Sequence, residues 1–159
     1  MLTEHEIKAL LQSVISRSPG DETEVLFLGL DEALTRFANN EIHQNVAETN
    51  FSLVVSVALG KRIGMASTNN LSAAALDQLV ERATLLAQLQ PENPDFPGFA
   101  PLAEFPEGRQ AFDEATASAT PEFRAHAVGE VIRYALDQGV VASGAFSTSR
   151  SQWAIATSH

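Results

Sequence analysis

The hydrophobic positions near the N-terminus recur at the spacing of an amphipathic helix. The apolar residues lie at i, i+3, i+4, i+7 and i+8: Ile7, Leu10, Leu11, Val14 and Ile15. Thr3 and Glu6 stand three residues apart ahead of this stripe, which is the spacing of a capping box. We therefore predict a helix over residues 4–17, which ends at Ser18-Pro19-Gly20.

The chain then changes to the patterns of β-strands. Residues 25–28 are a short continuous apolar run, which predicts a strand covered on both faces. Residues 29–32 (Gly-Leu-Asp-Glu) predict a turn or a bulge. A strand over residues 34–38 is expected to stop at Asn39-Asn40, because asparagine tolerates the left-handed backbone of a tight turn.

A second pair of strands follows that turn. Ile42, Gln44 and Val46 would share one face of a strand over residues 42–46, which we predict to be a more polar strand. Apolar residues occupy every second position over residues 51–59, and this is the clearest strand pattern in the chain. Gly60-Lys61 predicts a two-residue hairpin turn, after which residues 62–67 return antiparallel.

Next comes a second helix and then a segment of different composition. Ser72 is the predicted N-cap of a helix over residues 73–90, which Pro91 ends. Six of the seven prolines lie between Pro91 and Pro121. Seven acidic residues from Glu92 to Glu122 face one basic residue, Arg109, and four phenylalanines are interleaved among them. Residues 91–119 are therefore predicted to form an acidic extended arm that packs on another part of the protein.

The last part of the sequence predicts a helix followed by a hairpin. Thr120 and Pro121 have the N-cap and N1 signature of a helix, and Gly139 is its expected stop. The side chains predicted to face inward are Phe123, Ala127, Val128, Val131, Ile132, Ala135 and Leu136. Residues 140–146 and 152–156 are predicted strands, joined by the polar residues 147–151.

These elements together predict an α+β fold. We expect a mostly antiparallel sheet with helices packed on one face, followed by the start of a second helix-plus-hairpin unit. The predicted organisation is an N-terminal sub-domain over 1–90, the arm over 91–119 and a second sub-domain over 120–159. No turn, cap or helix follows the last strand, so we expect this unit to be truncated.

Composition narrows the possible functions. The 159 residues carry a formal charge of −10 and no cysteine, with 45% hydrophobic residues. The negative charge argues against direct binding of nucleic acid, and the missing cysteines exclude disulfides, cysteine nucleophiles and cysteine-ligated metals. The sequence shows neither an apolar run of membrane-spanning length nor a signal peptide, so we expect a cytoplasmic location and no membrane partner.

The titratable residues show no catalytic pattern. His5-Glu6 resembles the start of a zinc-peptidase helix, but no second histidine follows one turn later. His126 and Glu130 stand at i and i+4, yet two ligands without a third do not make a metal site. His43 is predicted to be an exposed strand residue. We therefore assign no catalytic and no metal-binding residue to this chain.

Two stretches nevertheless resemble a known family. They are Leu34-Thr35-Arg36-Phe37-Ala38-Asn39-Asn40-Glu41-Ile42 and Gly60-Lys61-Arg62-Ile63-Gly64-Met65-Ala66-Ser67-Thr68-Asn69-Asn70-Leu71-Ser72. With the order of elements around them, they resemble the N-terminal region of the TldD/PmbA family. Its members are metallopeptidase-like proteins that were formerly called modulators of DNA gyrase.

The resemblance implies a function for the parent protein. TldD-type members hold zinc on a downstream His-Glu-x-x-x-His motif, which this chain lacks, so zinc is expected elsewhere in a TldD-type full-length protein. The implied function is a scaffold and substrate-channel region in a cytoplasmic peptidase that degrades unfolded or modified peptides. The alternative is a non-catalytic PmbA-like subunit that supports a partner protein. The sequence that follows His159 in the parent distinguishes the two.

The resemblance also implies partners and groove residues. We expect a homodimer or heterodimer with a TldD/PmbA-type subunit, and an extended peptide as substrate. The residues predicted to line the substrate groove are Arg36, Asn39, Glu41, Arg62 and Asn69. We expect the chain itself to hydrolyse no peptide, to bind zinc weakly, and to self-associate through its sheet edge.

Overall fold

The computed structural model describes residues 1–101 and 111–158. Its helices and strands are, in order, α1 (Glu4–Ile15), β1 (Glu22–Ala38), β2 (Glu41–Leu59), β3 (Arg62–Thr68), α2 (Ala73–Leu89), α3 (Glu114–Ala117), α4 (Pro121–Asp137) and β4 (Gly144–Thr157). The strands form one antiparallel sheet in the order β3-β2-β1-β4, with helices packed on it. The predicted α+β class is confirmed. Residues 102–110 of the predicted arm, including Phe105 and Arg109, lie outside the described residues.

The predicted helix starts are confirmed. The backbone amide of Thr3 donates to Glu6 Oε2 at 2.7 Å and the amide of Glu6 donates to Thr3 Oγ1 at 3.2 Å, which closes the capping box. Ser72 and Thr120 accept from the third residue of α2 and α4. These helix starts need only residues three positions apart, so the local sequence is enough to specify them.

The strands are longer than the sequence predicted. Of the turn or bulge predicted at residues 29–32, the turn was wrong, since β1 continues through these residues. The hairpin predicted for residues 140–156 was also wrong, because residues 147–151 are the middle of the single strand β4. Polar residues in these stretches find partners on other strands: both Nε and Nη2 of Arg150 in β4 lie 2.8 Å from Asp31 Oδ2 in β1. Such pairing keeps a polar stretch extended where its own pattern indicates a turn.

The buried face of α4 also differs from the prediction. Val128 and Ala135 are buried as expected, but the third buried residue is Arg124. Phe123, Val131 and Leu136, which were predicted to face inward, are more than half exposed. The stripe that packs inward is therefore rotated towards Arg124, and an apolar surface of α4 remains in contact with solvent.

The described residues group into two units that do not follow the order of the chain. The first contains residues 1–29, 50–101 and 152–158, and the second contains residues 30–49 and 111–151. Strands β1, β2 and β4 each contribute to both. The predicted sub-domain boundaries at residues 90 and 119 stay a prediction.

The first unit has an apolar core between its helices and its strands. The buried core residues are Ile7, Leu11, Val14, Val25, Phe27, Leu53, Val55, Val57, Leu76, Leu79, Val80 and Ala83. Helix α2 packs so closely on β3 that a Cβ at Gly64 would lie 2.0 Å from the carbonyl oxygen of Ala83. The close approach of helix and strand therefore requires glycine at this position.

Strands β2 and β3 are joined by the predicted hairpin turn. Leu59 pairs with Arg62, and the register continues to Leu53 opposite Thr68. Gly60 has a φ of +58°, the left-handed conformation that favours glycine in such a turn. The arm begins against this turn, because Asn93 donates its amide to the Lys61 carbonyl at 2.9 Å.

None of the helices in residues 1–101 and 111–158 is both long and apolar enough to cross a membrane.

Candidate functional site

The second unit contains an open sheet edge. In the strand order, β3 is the neighbour of β2 on the side away from β1, and it pairs only with residues 53–59 of β2. Residues 41–49 of β2 therefore have no strand on that side within the described chain. Their side chains are exposed except for Val46, which is half-buried. Backbone groups along such an edge are available to pair with another extended chain.

A tight turn at Asn39 and Asn40 ends this edge. Both residues have left-handed backbones, with φ values of 52° and 62°, which is the geometry of a type I′ hairpin. The side chain of Asn40 holds the turn in place, because its Nδ2 donates to the Val140 carbonyl at 3.1 Å and its Oδ1 accepts from the Ala142 amide at 2.7 Å. The turn is therefore braced by the segment that leads into β4.

Three predicted groove residues lie at this turn. Arg36, Asn39 and Glu41 are all exposed and lie within six positions of one another on the β1–β2 hairpin. Arg36 is loosely held, with Nη1 donating to Gln44 Oε1 at 3.5 Å. A cation and an anion thus lie exposed near the turn at which the open strand begins.

The other two predicted groove residues do not come together. Arg62 begins β3 and lies 3.6 Å from the carboxylate of Glu92 in the arm, whereas Asn69 follows the last residue of β3. A strand rises about 3.3 Å per residue, so seven residues place them roughly 23 Å apart. Both are exposed in the first unit. The groove role of all five residues stays a prediction.

A polar cluster lies on the sheet of the second unit. Asp31 Oδ2 accepts from Arg150 at 2.8 Å, and Asp31 Oδ1 accepts from Thr49 Oγ1 at 3.0 Å. The hydrogen bond from Thr49, then the hydrogen bond and charge of Arg150, hold the pKa of Asp31 below its usual value. The carboxylate is therefore ionised at neutral pH and fixes three strands to one another.

A small cavity adjoins this cluster. It has a volume of about 160 Å³, and its lining residues come from β1, from the segment 116–119 and from β4. Its polar lining residues are Thr116, Thr148 and Ser149, and its charged ones are Asp31, Glu32 and Arg150. The cavity is polar and small enough for a few water molecules or a single polar group.

Arg124, which donates hydrogen bonds to two residues of this wall, was not predicted to be buried. Only 1% of it is exposed. Its Nη1 donates to the Ala119 carbonyl at 2.9 Å and to Thr148 Oγ1 at 3.1 Å, and both acceptors belong to residues that line the cavity. An arginine in the first turns of an amphipathic helix is usually exposed, so its sequence position carries no signal of burial.

The residues described here do not fit a zinc site. Within residues 1–101 and 111–158, no three histidine, aspartate or glutamate side chains lie close enough to share a metal ion. In the part of the chain that the structure describes, His126 and Glu130 belong to no group of three possible ligands, and Glu130 Oε1 accepts from Arg133 at 2.8 Å. That hydrogen bond and the charge of Arg133 lower the pKa of Glu130, with a smaller effect of His126.

Comparison with known proteins identifies the family. Residues 24–87 match the family model described as PmbA/TldA metallopeptidase domain 1. This match includes both sequence stretches that resemble the family. The chain contains a TldD/PmbA-family N-terminal region. A search of curated proteins gave no match.

Solved structures share the fold of this TldD/PmbA-type region. TldE from Thermococcus kodakarensis superposes with a TM-score of 0.82 at 18% identity, over 96% of this chain and 35% of its own. A candidate modulator of DNA gyrase from Bacteroides thetaiotaomicron gives a TM-score of 0.83 at 16% identity, over 99% of this chain and 38% of its own. Another from Thermotoga maritima gives 0.77 at 16% identity, over 98% and 35%.

The chain aligns with only part of each of these solved structures. The chain spans little more than a third of each of these structures. At identities below a fifth, the likeness supports the fold of the region, while activity and substrates have to be proposed from its own residues.

Proposed function

We propose that this chain is a non-catalytic scaffold of a TldD/PmbA-type metallopeptidase, which holds an extended peptide while a metal site elsewhere in the parent protein cleaves it. The observation that carries the proposal is the open edge of β2 at residues 41–49. The family match supports the peptidase context.

Strand addition explains how the edge holds a peptide. An extended peptide that pairs with an edge gains main-chain hydrogen bonds whatever its sequence, and only alternate side chains contact the sheet. Nine residues of strand provide an edge of roughly 30 Å, which accommodates a peptide of similar length. Such recognition suits unfolded substrates, since it requires an exposed backbone rather than a particular side chain.

The turn end of the edge carries two opposite charges. Arg36 and Glu41 both lie next to the Asn39-Asn40 turn. They offer ion-pair partners of either sign to a charged side chain at that end of a bound peptide.

The metal and the partner belong to the same proposal. Zinc is expected on a downstream motif of a TldD-type parent, and a second TldD/PmbA-type subunit is expected to pair with this one in the cytoplasm. The exposed apolar residues of α4 and the segment after it support a covering partner: Phe123, Val131, Tyr134, Leu136, Val140 and Val141. The same surface also suits the alternative function, a PmbA-like subunit that supports a partner without binding substrate.

Peptide binding with a backbone-modified control tests the proposal. A fluorescent, unstructured peptide of about twelve residues is titrated with the chain and followed by anisotropy. The control peptide has the same sequence with N-methyl groups on alternate backbone nitrogens, which removes donors and blocks strand pairing. We expect the N-methylated peptide to bind at least about tenfold more weakly and neither peptide to be cleaved.

Three results contradict the proposal. Equal binding of both peptides excludes strand addition. No binding of either peptide favours the subunit that only supports a partner. Chelator-sensitive cleavage with one zinc ion per chain shows that the chain is itself an enzyme.

A further inference from the structure

A groove lies beside helix α2 in the first unit. Its volume is about 440 Å³, and its described lining comes from α2 and from two residues that follow α1. The apolar part of this lining is Pro19, Val80 and Leu85. Val80 is buried in the core, whereas Leu85 is more than half exposed. A space of this size accommodates several side chains of a bound molecule.

The charged residues of the groove leave one negative charge uncompensated. They are one cation, Arg17, and two anions, Asp77 and Glu81. Arg17 Nε donates to Asp77 Oδ1 at 2.8 Å, so these two charges compensate each other. Glu81 is exposed and has no hydrogen bond or ion pair in the described part of the chain. The next residue along the helix, Arg82, donates instead to the Ser67 carbonyl of β3 at 3.0 Å. The carboxylate of Glu81 is therefore available to a cation that binds in the groove.

This carboxylate stands at one end of an apolar ridge on α2. Glu81, Leu85 and Leu89 are spaced four residues apart, so they lie along one side of the helix over about 12 Å. Both leucines are more than half exposed. Their burial by a bound molecule is favourable, because it removes apolar surface from water. The chemistry that complements the ridge is therefore a cation next to apolar side chains.

We propose that this groove binds a segment of a partner protein that presents a lysine or arginine next to apolar side chains. Glu81 pairs with the cation, and Leu85 and Leu89 pack against the apolar side chains. The formal charge of −10 on the chain favours the encounter with such a basic partner. The proposal does not depend on strand addition at residues 41–49, so either one can fail while the other holds.

Nuclear magnetic resonance titration tests the groove. The probe is a blocked, alanine-based peptide of about twelve residues that carries a lysine and two leucines at i, i+4 and i+8, the spacing of the ridge. Amide chemical shifts of the ¹⁵N-labelled chain are followed as this peptide is added. We expect saturable shifts concentrated at residues 77–89 and at Arg17 and Ser18.

A second peptide tests the role of charge. It has glutamate in place of the lysine, and it should bind at least about fivefold more weakly, because like charges repel at Glu81. The difference between the two peptides should shrink when sodium chloride is raised from about 20 mM to about 200 mM, since salt screens exposed charges.

Variants with matched controls separate the groove from general effects. Glu81→Gln should weaken the lysine peptide about threefold and abolish the preference for lysine over glutamate. Glu114→Gln removes the charge of an exposed glutamate on α3 and should change neither. Leu85→Ala should weaken both peptides by a similar factor, whereas Leu136→Ala, which truncates a comparably exposed leucine on α4, should leave binding unchanged.

Several results overturn the proposal. They are the absence of saturable shifts, shifts that map outside the groove, equal binding of the lysine and glutamate peptides, and equal binding of the lysine peptide by Glu81→Gln and Glu114→Gln. Shifts at residues 77–89 that depend on the concentration of the chain alone would assign this surface to a second copy, and they also overturn it.

Discussion

Substitution of Gly64 by alanine tests how α2 is seated on β3. A Cβ at this position would lie 2.0 Å from Ala83 O, 2.2 Å from Ala87 N and 2.9 Å from Leu86 C. All three are backbone atoms of α2, so no side-chain rotation relieves the clash. The helix has to move away from the strand by more than 1 Å, which is about the shortfall from ordinary van der Waals contact.

The loss of stability in Gly64→Ala arises because this movement of α2 disrupts its packing in the core. Leu79, Val80 and Ala83 of α2 are buried in the core of the first unit. Overpacking of a close-packed core typically costs about 1–3 kcal/mol, and a clash with backbone falls at or above the upper end. For a chain of this size, about 3 kcal/mol lowers Tm by roughly 6–12 °C.

Urea denaturation followed by circular dichroism measures the effect. Gly129→Ala is the control: Gly129 lies in α4, and a Cβ there meets nothing within 4 Å. This control should be stabilised by about 0.5–1 kcal/mol, because alanine favours a helix more than glycine does. If Gly64→Ala is as stable as the unaltered chain to within about 0.5 kcal/mol, the described packing of α2 on β3 is wrong.

Three other predictions concern the capping box, the polar cluster and the single tryptophan. Thr3→Ala removes an N-cap and should cost about 1 kcal/mol in urea denaturation, whereas Thr3→Ser should cost little. The lowered pKa of Asp31 stabilises the fold above its unfolded pKa of about 3.9, and this stabilisation is lost as the pH falls through the lower folded value. Asp31→Asn should therefore cost about 1 kcal/mol at neutral pH, and its urea midpoint should converge with that of the parent as the pH falls through the folded pKa of Asp31; a constant difference would contradict the assignment. Trp153 is 73% exposed, so acrylamide should quench its fluorescence almost as well as that of a free indole; strong protection would show that it is covered.

The sequence predicted those features that depend on neighbouring residues. The capping box at Thr3, the N-cap at Thr120 and the turn at Asn39-Asn40 each involve residues within four positions, and the structure has all three. Alternation over residues 51–59 likewise placed Leu53, Val55 and Val57 in the core. Such features are local, so no knowledge of the tertiary fold was needed.

Features that depend on distant partners were missed. The continuity of β4 through its polar middle depends on Asp31, more than a hundred positions away from Arg150. The burial of Arg124 depends on Thr148, a residue of that same strand. Because the hairpin was predicted in place of β4, the partners of both arginines were absent from the prediction, and so was the cavity.

The central claim is that residues 41–49 of β2 hold an extended peptide that this chain does not cleave. Hydrogen exchange of the backbone amides, with and without a saturating unstructured peptide, tests it most directly. The account predicts slower exchange at alternate amides of residues 41–49, with the N-methylated peptide giving no protection and with the peptide recovered intact. Unchanged exchange along this strand, or recovery of a cleaved peptide with stoichiometric zinc, would contradict it.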